Sequence, residues 1–186
     1  MEPVERRSFM KGAAVSALVF TVGGVDVLLT AREARAQNVP FKVLTPDESA
    51  ALEALGDTLL PGAKDAGIAH YIDQQLSVPP AECMLVLRTM DVAPPYADFY
   101  RIGLAGLDQA SQKVHGAKFA AIAPDQRYAI VEQLQQGAPA GWTGPQPAFF
   151  YFITRTDAVD VYYGTVEGFE RLGIPYMPHI VPTRSW

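Results

Sequence analysis

The chain has 186 residues, with 15 Lys and Arg against 20 Asp and Glu, a formal net charge of −5 and 49% apolar residues. That acidic balance argues against a nucleic-acid surface, which needs a basic face for phosphates, while the apolar fraction is enough for the core of one domain. The single cysteine, Cys83, excludes an internal disulfide and any C-x-x-C-H haem attachment.

The chain begins with "VERRSFMKGAAVSALVF" after two residues and a proline. Arg6, Arg7 and Lys11 give a basic start, and an apolar run follows from about Gly12 to Ala31. Ala34-Arg35-Ala36 then fits the A-x-A cleavage pattern of an export signal, which predicts Gln37 as the mature N-terminus. The core resembles the twin-arginine motif S/T-R-R-x-F-L-K at Arg6, Arg7, Phe9 and Lys11, with Glu5 in place of Ser/Thr and Met10 in place of Leu. The resemblance implies a twin-arginine translocase as a partner and a periplasmic destination, by a route that carries proteins already folded, often with a cofactor or a second chain. The rival reading is an uncleaved anchor, since the run is long enough to span a bilayer. Against it stands Asp26, which costs about 2.5–3.5 kcal/mol on insertion scales. The expected division is thus a signal over 1–36 and a domain over 37–186, with 164–186 as an extended tail. Beyond Gln37 there are ten Lys/Arg and sixteen Asp/Glu, and no second run of apolar residues reaches spanning length.

Residues 37–44 read as a short arm. "TPDESAALEALGDTLLPG" carries its own helix ends: Thr45 as N-cap, Pro46 in the first turn, Glu48 completing a capping box, and Pro61-Gly62 as the stop. Leu52, Leu55 and Leu59 lie on one face, with Asp57 on the surface. "AGIAHYIDQQL" continues as a second helix with Ile68, Ile72 and Leu76 inward. "PAECMLVLRTM", between Pro79-Pro80 and Pro94-Pro95, reads as a third, buried helix around Cys83, which is expected to pack as a small hydrophobe. "YADFYRIGLAGLDQASQKVH" is a longer fourth, striped by Tyr96, Phe99, Gly103, Leu107 and Ala110 and capped by Gly116. Gly103 and Gly106 are read as sites of close packing. "APDQRYAIVEQLQQG" has Pro124 at its start, Gly137 at its end and Tyr128, Val131 and Leu134 inward. "AFFYFITRTDAVDVYY" is the last long helix, with Phe149, Phe152, Thr156 and Val159 on its inner side. The class is all-α, an irregular bundle of about five to seven helices with a non-regular C-terminal tail.

Chemistry is sparse. There is no dinucleotide G-x-G-x-x-G and no P-loop. None of His70, His115 and His179 follows a Glu by three residues, so the di-iron pattern of helical bundles is missing. His70 reads as a satisfied surface or boundary histidine, and His115 as a helix C-terminal cation. His179, between Pro178 and Ile180, is the one that would serve a cryptic enzyme. Asp157 and Asp160, three apart on a helix, read as two exposed acids; the functional alternative is a shared proton or cation.

Three blocks resemble one family in order and spacing: "LTPDESAALEALGDTLLPGA", "YRIGLAGLDQASQKVHGAKFAAIAPDQR" and "FFYFITRTDAVDVYYGTVEGFERLGIPY". They are similar to the start, middle and end of gluconate 2-dehydrogenase subunit 3. In place of the family's usual Tyr-Gly-Gly-Asn and Gly-Trp stand Tyr163-Gly164-Thr165-Val166 and Gly168-Phe169, so the substrate in the family name is not carried over. The resemblance implies a small subunit with no catalytic centre, cofactor or metal of its own. It implies a large partner of the glucose-methanol-choline type holding FAD, and a cytochrome c subunit with haem c as a further one. The apolar, aromatic tail is the expected interface, through Tyr163, Phe169, Tyr176, His179 and Trp186, because Trp and Tyr are enriched at binding hot spots. The rival is an independent periplasmic helical binding protein.

Overall fold

A computed structural model of the chain describes residues 17–174. Arg6, Arg7, Phe9 and Lys11 at one end, and Tyr176, His179 and Trp186 at the other, lie outside the described residues. The fold is mostly helical, as the periodicity predicts. The helices are α1 (Ala31–Ala36), α2 (Pro46–Leu59), α3 (Ile68–Ser77), α4 (Tyr96–His115), α5 (Pro124–Gln136), α6 (Pro147–Tyr163) and α7 (Val166–Arg171). Before them comes a two-stranded antiparallel hairpin, β1 (Leu18–Val22) and β2 (Val25–Leu29).

The helix ends follow their capping residues. Thr45 and Glu48 form the capping box of α2: the Thr45 N–H donates to Glu48 Oε2 at 2.8 Å, and the Glu48 N–H donates to Thr45 Oγ1 at 3.3 Å. Gly116 closes α4 in the left-handed conformation at φ +71°, its N–H donating to Gln112 O. The core runs between α2, α3, α4 and α6, where Leu52, Leu55, Ile72, Leu107 and Phe150 are each removed from solvent. Gly103 on α4 and Phe150 on α6 touch so closely that a Cβ at Gly103 would overlap the ring. Gly106 is pressed likewise against Trp142 and Gly144 of the α5–α6 loop. Both glycines serve packing, as read from their spacing.

Five local expectations change. The apolar run read as the middle of a signal is a hairpin in its second half. Gly23 and Gly24 turn it with φ of +59° and +84°, the positive values a two-residue type I′ hairpin turn requires. Flanking β-branched and aromatic residues then supply the alternation, with Leu18 and Phe20 inward and Val19 outward. The expected third helix is an extended segment leading to one 3-10 turn, Val86–Thr89. Cys83, Leu85 and Leu87 are buried while Met84 and Arg88 are exposed, a period of two rather than 3.6. On α5, Val131 and Leu134 face inward, but Ile130 replaces Tyr128, which is 61% exposed. On α6 the buried face is Phe150, Ile153, Asp157 and Val161; of the stripe assigned to the core, Phe152 and Val159 are exposed, Thr156 is half-buried and only Phe149 packs against the core. The tail, finally, opens with a short helix, α7, capped by Thr165, whose Oγ1 accepts from the Gly168 N–H at 3.0 Å.

Candidate functional site: an apolar helix face beside an acid-rimmed groove

α6 carries both faces of the site. Its inner face buries Asp157 completely. The Tyr100 hydroxyl of α4 donates to Asp157 Oδ2 at 2.8 Å, and Oδ1 has no partner among the described residues. Removal from water disfavours the charged carboxylate and pushes the Asp157 pKa up to about 8. The Tyr100 hydrogen bond opposes this, and the nearby Asp160 adds to it. At neutral pH this is a neutral acid inside a helical core. Burial also raises the phenol pKa of Tyr100 and of Tyr71, and the charge of Asp157 adds to the rise in both. The expectation of two exposed acids is therefore half right: Asp160 sits at the surface, while Asp157 is deep.

Asp160 leads to a groove of about 780 Å³. One wall is Leu18, Thr30, Ala31 and Arg32 of the hairpin and α1; the other is Asp160, Val161 and the Gly164–Glu167 stretch, with Tyr71 and Met84 also lining it. Arg32 and Glu167 face each other across it at 3.7 Å. Apolar atoms dominate the lining. The half-buried ring of Tyr71 lines the groove and is close enough to Asp157 and Asp160 to feel their charge.

Part of the outer face of α6 is apolar as well. Phe152 and Val159 are 45% and 39% exposed, and half-buried Thr156 and Tyr163 continue the stripe at spacings of three and four residues, whereas Phe149 packs against the core, edge-on to Phe99 at 5.6 Å. The Thr156 hydroxyl donates back to Phe152 O at 2.9 Å, so its polar atom is occupied within the helix. A helix apolar on both sides is normally buried on both sides. Here one side meets the core, and the other is open among the described residues.

Among the described residues, His70 and His115 do not assemble a reactive centre with these acids, and His179 lies outside them. His70 is buried, not at a boundary: its Nε2 lies 3.1 Å from Val39 O, its Nδ1 has no partner among the described residues, and burial lowers its pKa. His115 is half-buried at the end of α4. Among the described residues no three His, Cys, Asp or Glu side chains are grouped so as to hold a metal ion. Cys83 is a buried thiol, its pKa raised by desolvation. No helix among the described residues is long and apolar enough to cross a membrane.

Of the residues picked for an interface, Tyr163 joins the outward stripe of α6 and stacks edge-on against Tyr162. Phe169 lies half-buried on α7. Ala34 and Ala36 fall on α1, where Ala34 is completely buried. The site missed in the sequence is Asp73. Its buried carboxylate accepts three backbone N–H groups, from Lys42, Val43 and Leu44, each at 2.8 Å. It holds the 37–44 arm against α3, and an acid with no local partner in an amphipathic helix was its only signal.

The fold and the site thus define a small helical bundle that offers one open apolar helix face and one groove. The family model for gluconate 2-dehydrogenase subunit 3 matches residues 46–182, more than two thirds of the chain. The protein belongs to this family of small subunits of dehydrogenase complexes. No curated protein and no solved structure matches it.

Proposed function

We propose that this chain is the small subunit that folds with, stabilises and accompanies to the periplasm a large FAD-dependent dehydrogenase of the glucose-methanol-choline type. The open stripe on α6 carries the reading: a family of subunits needs a subunit contact, and exposed Phe152 and Val159, with half-buried Thr156 and Tyr163, form one seam along the helix. In this reading the large subunit covers that seam. The tail residues Tyr176, His179 and Trp186, with Phe169, extend the contact. The large chain supplies the FAD and oxidises an alcohol or sugar, and a cytochrome c subunit with haem c takes the electrons. Arg6, Arg7, Phe9 and Lys11 supply the twin-arginine signal for the assembled pair, which suits a route that carries folded cargo.

Co-expression with the large subunit tests the assembly. The parent pair should co-purify with bound flavin, and Phe152→Glu with Val159→Glu should abolish co-purification while the small subunit keeps its own melting temperature. Substituting Arg6 and Arg7 by lysine should leave dehydrogenase activity in the cytoplasm; undiminished periplasmic activity would sink the carrier role.

The groove favours a second reading, an independent periplasmic binding protein, because apolar walls with Asp160 and Arg32 at the rim suit a small amphipathic ligand. A monomeric purified chain that retains such a ligand and ignores the dehydrogenase would support it.

A further inference from the structure

Ala34-Arg35-Ala36, like the second half of the apolar run before it, lies inside the described residues, and its setting is unlike that of a cleavage site. A peptidase takes its substrate as an extended strand whose backbone groups are free to pair with the enzyme. Here the same backbone is a helix end with its groups in use. The Gln37 N–H donates to Glu33 O at 2.9 Å, the Asn38 N–H to Arg35 O at 3.0 Å and the Val39 N–H to Ala34 O at 3.0 Å. The Ala34 side chain, which a peptidase would have to seat, is fully enclosed in a cluster with Leu18, Phe20 and Val39.

The rest of the segment is tied to three other parts of the domain. Arg35 pairs with Glu53 of α2 at 3.5 Å and with Asp65 at 3.2 Å, and Arg32 pairs with Glu167 of α7. Ala31 belongs to the main core, and its carbonyl comes so close to Gly67 that no Cβ would fit there. Thr21 of β1 accepts from Lys42 Nζ at 2.9 Å. The hairpin and α1 also make one wall of the groove, so their removal would leave Leu18's partners Val39 and Tyr71 open to water.

We infer that residues 17–36 are a permanent part of the folded domain, and that the Ala36–Gln37 bond is not a processing site in the folded protein. The consequence for export rests on the reading above. A chain that crosses the membrane already folded, as that reading has it, carries its hairpin and α1 across as part of the cargo, which leaves only residues 12–16 between Lys11 and the fold as the apolar part of the signal. The periplasmic protein then begins at or before Ala17 rather than at Gln37.

Trypsin added to the full-length folded chain reads the protection directly, since Arg32 and Arg35 lie just ahead of the Ala36–Gln37 bond. Cuts after these residues should form only as fast as the α2–α6 core itself is digested, because a helix end held this way is cleaved through unfolding. Rapid cutting after Arg35 that leaves an intact soluble Ala36–Trp186 fragment would overturn the inference. Intact mass of the protein from the periplasm is the second arm. A start at or before Ala17 supports it, and a start at Gln37 overturns it while leaving export standing. A chain never found in the periplasm removes the export reading, and the trypsin result then decides the structural claim alone.

Discussion

Asp157 carries its carboxyl group wholly out of water, and that sets a pH dependence. The unfolded chain releases this proton near 3.8, the folded chain only near 8. Between those values the folded state binds the extra proton, so stability falls as pH rises through the window and changes no further on this account above about 8. Asp157→Asn, a neutral side chain of the same shape, should flatten that slope. Its thermal midpoint should exceed the parent's at pH 8, by the equivalent of a few kcal/mol at most, and match it near pH 4. A variant with the parent's full slope would contradict the buried acid. Asp73 anchors the 37–44 arm, its carboxylate accepting three backbone N–H bonds. Asp73→Ala should cost about 3 kcal/mol in urea unfolding, since it orphans buried donors of charge-assisted bonds. At this scale the sequence was least informative. Asp157 and Asp73 look like ordinary helix acids, because their partners come from 57 and about 30 residues away.

The elements were legible wherever their ends are chemical. Thr45, Pro46 and Glu48 start α2, Gly116 ends α4, and Pro124 lies in the first turn of α5, as their sequence patterns predict. They were not legible where apolar residues crowd. In "AFFYFI" every face of α6 is apolar, so periodicity could not choose the inner one, and the buried set is rotated by one residue from the expected stripe. "CMLVLR" hides its alternation because the outward Met84 is itself apolar. "VFTVGGVDV" holds a strong hairpin signal that the surrounding apolar run concealed. Packing tests belong here. Gly103→Ala forces a methyl into the Phe150 ring and should destabilise the fold by about 1–3 kcal/mol. Gly116→Ala meets open space but keeps a positive φ, so it should cost less, about 1 kcal/mol. Equal losses in chemical denaturation would contradict the close approach of α4 and α6.

The whole molecule joins a conventional core to an unconventional surface. Its N-terminal hairpin and α1 form a small second cluster against α3 and close one side of the groove; α6 forms the other side and leaves its outer stripe open. The helical class was readable from periodicity and the family from three spaced blocks, but the open stripe on α6 was not, because it needs the helix rotation to be known; the tail residues Tyr176, His179 and Trp186 lie outside the described residues. The most direct test of that seam is the affinity between this chain and the large flavoprotein subunit proposed as its partner, measured for the parent and for Phe152→Glu by titration calorimetry. Loss of one central hot-spot aromatic costs about 2 kcal/mol or more, roughly a thirtyfold weaker complex, and the variant's own melting temperature should not fall. An unchanged affinity with the variant folded would contradict the assignment of α6 as the docking face.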